Sequence, residues 1–116
     1  MLTGAMLGLL EQLGLDIITL TEGLSEAEFF SSRLARAQVL QRLGSMTRTI
    51  ADLPLEVRQR MPEIDWAAWD TLASILPGSV HHPLQIWEAV QELTPLTVQR
   101  LKRYRKQQPR LFSIVP

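Results

Sequence analysis

Leu53-Pro54-Leu55-Glu56, Met61-Pro62-Glu63-Ile64-Asp65-Trp66 and Ile86-Trp87-Glu88-Ala89-Val90 are the stretches that decide the fold of this chain. Their Pro and Asp residues punctuate helices. Pro54 suits the first turn of a short helix over residues 55–60, because its missing N–H has no helical acceptor there. Asp65 predicts a helix start, its carboxylate accepting from the free amides of the first turn. Beyond it Trp66, Trp69, Leu72, Ala73 and Leu76 share one face, and Pro77-Gly78 ends the run.

Upstream, Leu2, Met6, Leu9, Leu10, Leu13, Ile17 and Leu20 form one apolar stripe at helical spacing. That helix is expected to stop near Gly23, which tolerates a left-handed backbone. Ser25-Glu26-Ala27-Glu28 reads as a capping box opening a short turn that carries Phe29 and Phe30. From Ser32 a long helix follows, with Leu34, Ala37, Leu40, Leu43, Met46, Ile50 and Leu53 at three- and four-residue steps. Gly44 and Ser45 in its middle cost about 1 kcal/mol of helix propensity. Either another backbone approaches there or a packed helix simply tolerates them.

Downstream, His82-Pro83 starts another helix with Trp87 and Val90 inward. Thr94-Pro95 is expected to reset the chain, with Thr94 as cap and Pro95 at the first helical position. Leu96, Leu101 and Tyr104 continue inward past it. The expectation is an all-α bundle of about five helices over residues 1–108, with short connections. An apolar tail over 109–116 carries Leu111, Phe112, Ile114 and Val115. It either enters a partner's groove or folds back over its own core.

At 116 residues and 46% hydrophobic, the chain supports one domain with a real core but not two. Zero Cys excludes a disulfide scaffold and a thiolate metal site. The Leu-rich N-terminus lacks a basic leader, and Glu11 and Asp16 interrupt it, so a signal peptide is not expected. No stretch is expected to cross a bilayer, and a cytoplasmic location is expected. Charge sums to +0 but is unevenly placed. Five acidic residues, from Glu11 to Glu28, precede the first basic one, Arg33, whereas Arg100 to Arg110 is densely basic. Such polarity orients a partner or a second copy.

The spaced Pro and Trp residues resemble the HepT-like branch of the HEPN superfamily, small helical ribonucleases that act as toxins. Thr21-Glu22-Gly23-Leu24-Ser25 with Phe29 looks like that family's first inter-helix segment. Ala51-Asp52-Leu53-Pro54 and Pro62-Glu63-Ile64-Asp65-Trp66 resemble its central signature, and Trp87 with Leu93 and Pro95 its last. The resemblance implies a homodimer with active sites at the interface and RNA cleavage without metal. In that family a His assists proton transfer and an Arg, four to six residues before it, steadies the phosphate. A nucleotidyltransferase partner silences the toxin by adding AMP to a Tyr just after the His.

This chain departs from that pattern at the chemistry. No Arg or Lys occurs between Arg60 and Arg100. Thr71-Leu72-Ala73-Ser74-Ile75 stands where the Arg is expected, and Ala73 cannot hold a phosphate. The segment between the Trp residues looks shorter than the family's, so the His position falls near Pro77-Gly78. No Tyr follows, Tyr104 being the chain's only one.

His81 and His82 are the remaining catalytic candidates, and a polar loop with a helix cap ahead of Pro83 is the favoured reading of both. A metal site is not expected, since adjacent histidines seldom reach one ion together, and no cofactor is expected. Arg100, Lys102, Arg103, Arg105 and Lys106 are candidate RNA contacts, with Tyr104 available for stacking. A solvated helix end favoured by the helix dipole is the competing reading. Trp66, Trp69, Leu72 and Ala73 are the candidate dimer interface, with the helix from Ser32 as rival; for Trp66, Trp69 and Trp87 core packing competes.

The expected function is that of a catalytically inactive HepT-like protein. It dimerises and binds a protein partner, a nucleotidyltransferase or another. The alternative is an active ribonuclease toxin with rearranged catalytic residues, such as His82 with a distant Arg58 or Arg60.

Overall fold

Residues 2–113 are described by a computed structural model, and among them no strand occurs. The chain runs through α1 (Leu2–Thr21), α2 (Glu26–Ser31), α3 (Arg33–Asp52), α4 (Leu55–Gln59) and α5 (Trp66–Ile75). A 3-10 turn (Leu76–His81), α6 (Pro83–Glu88), a π-helical turn (Ala89–Leu93) and α7 (Thr94–Gln107) complete it. This is the expected all-α bundle. Helix α1 packs between α3 and α7, and α5 lies on α3.

The inward face of α1 differs from the expected stripe. Gly4, Leu7, Leu10, Gly14, Ile17 and Thr21 are buried, whereas Leu2 is 79% and Leu9 48% exposed. Close approach sets this rotation. A Cβ on Gly14 would overlap Val98 Cγ2 of α7, and one on Gly4 would overlap the backbone carbonyl of Ser113. The helix therefore presents its small residues where neighbours come nearest. The Thr21 hydroxyl donates to the Ile17 carbonyl at 2.8 Å, satisfying itself inside the core. Contrary to the expectation above, α1 is long and apolar enough to cross a membrane by length and composition. Here Leu7, Leu10 and Ile17 are fully covered by the rest of the bundle.

Gly23, just past the end of α1, has φ +77°, the left-handed value expected of it. The capping box forms: the Ser25 amide donates to Glu28 Oε1 at 2.9 Å, and the Glu28 amide to Ser25 Oγ at 3.1 Å. Ser32 caps α3 by accepting from the Ala35 amide at 3.2 Å. The α3 stripe is corrected at its start. Leu34 is 70% exposed, and Val39 heads the buried row of Leu43, Met46 and Ile50. Among the described residues no other backbone comes within 4 Å of a Cβ at Gly44, whose nearest neighbour is the Arg48 side chain, which fits simple tolerance within the helix.

The expected reset at Pro95 does not occur. The Thr94 amide donates five residues back to Ala89, and the residues around the join keep right-handed helical angles. A proline inside an α-helix loses a hydrogen bond and clashes with the carbonyl four residues earlier. One wider turn relieves that clash, so α6 and α7 continue through the proline. The buried row of α7 is Thr94, Thr97, Val98, Leu101 and Tyr104, and Leu96, expected inside, is 40% exposed.

Past α7 the tail turns back. Phe112 is 6% exposed, with the Arg105 guanidinium 5.2 Å above its ring, and Leu111 packs on the same core. Its described part therefore covers its own bundle. Ile114 and Val115 lie outside the described residues.

Candidate functional site

The Pro and Trp signature works first as a clasp between α4, α5 and α7. The Trp66 indole N–H donates to the carbonyls of Arg58 and Met61 at 3.1 and 3.0 Å. Asp65 Oδ1 accepts from the Ala68 amide at 3.0 Å, the predicted cap. From α7, Tyr104 Oη accepts the Glu63 amide at 3.1 Å, and Arg100 donates to the Glu63 carbonyl. Arg103 pairs with the Glu63 carboxylate at 3.0 Å, and Gln108 Nε2 reaches the Arg60 carbonyl at 2.8 Å. The residues most suggestive of a motif are thus engaged in holding the fold.

That clasp also accounts for much of the basic run. Arg100 and Arg103 fasten the loop before α5, and Arg105 pairs with Glu11 of α1 at 2.8 Å. Lys102 and Lys106 are exposed, with no ion pair among the described residues. Of the five candidate RNA contacts, those two are the ones left wholly to solvent.

The remaining catalytic candidates are scattered. His81 is exposed at the end of the 3-10 turn, and His82 occupies the cap position of α6 without a side-chain cap bond. Arg58 is tied down: it pairs with Asp70 at 3.0 Å, donates to the Ile50 carbonyl at 2.7 Å, and stands 5.7 Å from the Trp66 ring centre. Ala73 is exposed on α5 and lines an open groove against Gly44, Thr47 and Arg48 of α3, with a volume of about 410 Å³.

Two of the four candidate interface residues belong to the chain's own core. Trp69 has no exposed surface and donates its indole N–H to Thr97 Oγ1 at 3.0 Å; Leu72 is 4% exposed. Trp66 is half-buried in the clasp. Trp87 is half-buried too, its ring 5.5 Å from Phe29 and 6.3 Å from Phe30.

A second groove was not foreseen. It has a volume of about 620 Å³ and runs between α5 and the α6–α7 segment. Leu72, Ile75, Ala89, Leu93 and Leu96 supply its apolar floor, and Asp65, Glu88, Glu92 and Arg100 its charged rim. Glu88, Glu92, Leu96 and Arg100 follow at four-residue steps, a spacing that puts side chains on one helical face. The signal was in the sequence, but an expected break at Pro95 splits that row in two.

Comparisons with protein-family models, with curated proteins and with solved structures give no match for this chain.

Proposed function

We propose that this chain is a HepT-like helical protein that has exchanged RNA cleavage for binding, acting in the cytoplasm as a homodimer that engages a protein partner. The observation that carries the reading is Ala73. It stands where the resemblance places the phosphate-steadying arginine, and it is exposed in an open groove with its methyl group as its only functional surface. One oxyanion-type donor is commonly worth about 3–4 kcal/mol of transition-state stabilisation, a rate factor of hundreds. A partner nucleotidyltransferase would suit the resemblance, but the acceptor tyrosine it would need is not in place. Tyr104 is buried and bonded to the Glu63 amide.

Support for binding comes from the surface. Leu34, Leu55, Val80, Leu84 and Leu96 are large apolar residues left exposed, and open grooves lie beside Val80 and Leu96. Contiguous apolar patches mark protein interaction sites whereas single exposed residues are ordinary, so the residues beside a groove are the ones that count towards this reading. A second reading keeps the ribonuclease, with Arg48 supplying the cation, because that arginine lines the same groove as Ala73.

The deciding experiment incubates single-stranded RNA with wild type, His82→Ala, Arg60→Ala and Arg48→Ala proteins. All four should match the protein-free blank. Cleavage by wild type that is lost in His82→Ala together with either arginine variant would establish the ribonuclease instead.

A further inference from the structure

We propose that the α6–α7 face is a two-fold interface, on which a second copy of this chain lies antiparallel with Leu96 at the axis. The inference rests on the homodimer reading above and specifies the surface, which centres on the α6–α7 segment and not on α5 or α3 as first expected.

Its basis is the order of charges along one helical row. Glu88 and Glu92 precede Leu96, and Arg100 and Arg103 follow it, all on the exposed or half-exposed side of the segment. A helix rises about 1.5 Å per residue, so Glu92 and Arg100 each stand roughly 6 Å from Leu96, on opposite sides. Glu88, eight residues away, and Arg103, seven residues away, stand roughly 12 and 10 Å from it, again on opposite sides. Antiparallel pairing about Leu96 therefore sets Glu92 of each copy against Arg100 of the other, and Glu88 against Arg103. Parallel pairing would set like against like.

Self-complementarity of this kind is what an isologous interface requires, since the same patch must serve both partners. The apolar part fits as well. Leu96, 40% exposed at the middle of the row, lines the groove together with Leu72, Ile75 and Leu93, so the two copies can meet apolar surface to apolar surface there. The molecule measures 44 by 26 by 21 Å, and its broad face has room for the roughly 800 Å² that each partner of a stable complex commonly buries. Arg100 donates to the Glu63 backbone carbonyl and Arg103 pairs with the Glu63 carboxylate, each through one guanidinium nitrogen, which leaves the other N–H groups of both forks for a second copy.

Charge reversal tests the pairing directly by sedimentation, with circular dichroism confirming that each variant is folded. Wild type should sediment as a dimer. Glu92→Lys alone and Arg100→Glu alone should each weaken the dimer at least tenfold, because each opposes like charges across the axis twice. An equimolar mixture of the two variants should recover a heterodimer, since every opposed pair is then of opposite sign. The doubly substituted chain should likewise recover a homodimer. Leu96→Asp, which leaves the Glu63 clasp untouched, should give monomer. A dimer of wild-type strength in both single variants and in Leu96→Asp would overturn this interface while leaving the homodimer reading intact. Monomeric wild type at high micromolar concentration would overturn both.

Discussion

Trp69 of α5 donates its indole N–H to the Thr97 hydroxyl of α7 at 3.0 Å, between two side chains that are almost wholly closed to solvent. One turn earlier on the same helical segment, Thr94 is equally buried, but its hydroxyl has no hydrogen-bond partner among the described residues. The same substitution should therefore have opposite outcomes. Thr97→Val leaves the indole N–H unsatisfied and should cost about 1–3 kcal/mol. Thr94→Val removes a polar atom that gains nothing from burial, and should be neutral or stabilising. Urea unfolding of the two variants checks this, and equal losses of stability would contradict it.

Gly14 is tested by a pair of changes. Helix propensity favours Ala over Gly by about 1 kcal/mol. Against it, the new methyl would overlap Val98 Cγ2, a stiff branched side chain buried against α1. Overpacking of this sort costs about 1–3 kcal/mol. Gly14→Ala should thus destabilise the wild type. In a Val98→Ala background, where the overlapping methyl is gone, Gly14→Ala should become stabilising. A double-mutant cycle by thermal unfolding reads the coupling, and additivity would remove the contact from the account.

Local signals in the sequence located most helix ends correctly, because a cap is decided by a few adjacent residues. Ser25, Asp65 and Gly23 behave as their chemistry demands. Facing was less legible. Leu2 and Leu9 satisfy the apolar period yet point outward, since α1 is turned by the fit of Gly4 and Gly14 against distant parts of the chain, and Leu34 is likewise exposed at the start of α3. No window of neighbouring residues contains that information. Pro95 differs for another reason: a proline is a strong local breaker, yet here one π-turn accommodates it without ending the helix. A break at that residue would divide the rim row of the groove, which hides the row from a local reading. Trp66 and Trp69 were legible as packing residues, but not as hydrogen-bond donors to Arg58, Met61 and Thr97.

The capping box predicts a specific pH response. The Ser25 backbone amide, and secondly its hydroxyl, hold the Glu28 carboxyl below the usual carboxylate range. A group with a lowered folded pKa stabilises above its unfolded pKa and loses that contribution as pH falls through the folded value. The α2 start should therefore be firm at neutral pH and loosen in acid. Carboxyl NMR titration should give Glu28 a lower midpoint in the folded chain than in the urea-unfolded chain; coincident midpoints would show that the box is not formed in solution. Independently, Ser25→Ala should cost about 1 kcal/mol.

The tail gives the last prediction. Phe112 is 6% exposed, and the carbonyls of Phe112 and Ser113 lie directly over Gly4. Phe112→Ala should cost about 3 kcal/mol through lost burial and the space left behind. Gly4→Ala attacks the same contact from the other side, because backbone atoms, unlike a flexible side chain, cannot step away from the new methyl. Both variants should lower the thermal midpoint and speed proteolysis near the C-terminus. Once either change has lifted the tail, the other has little left to break. The double variant should therefore lose clearly less than the sum of the single losses. Strict additivity, or a C-terminus no more protease-sensitive than wild type in Gly4→Ala, would mean that the tail does not rest on α1.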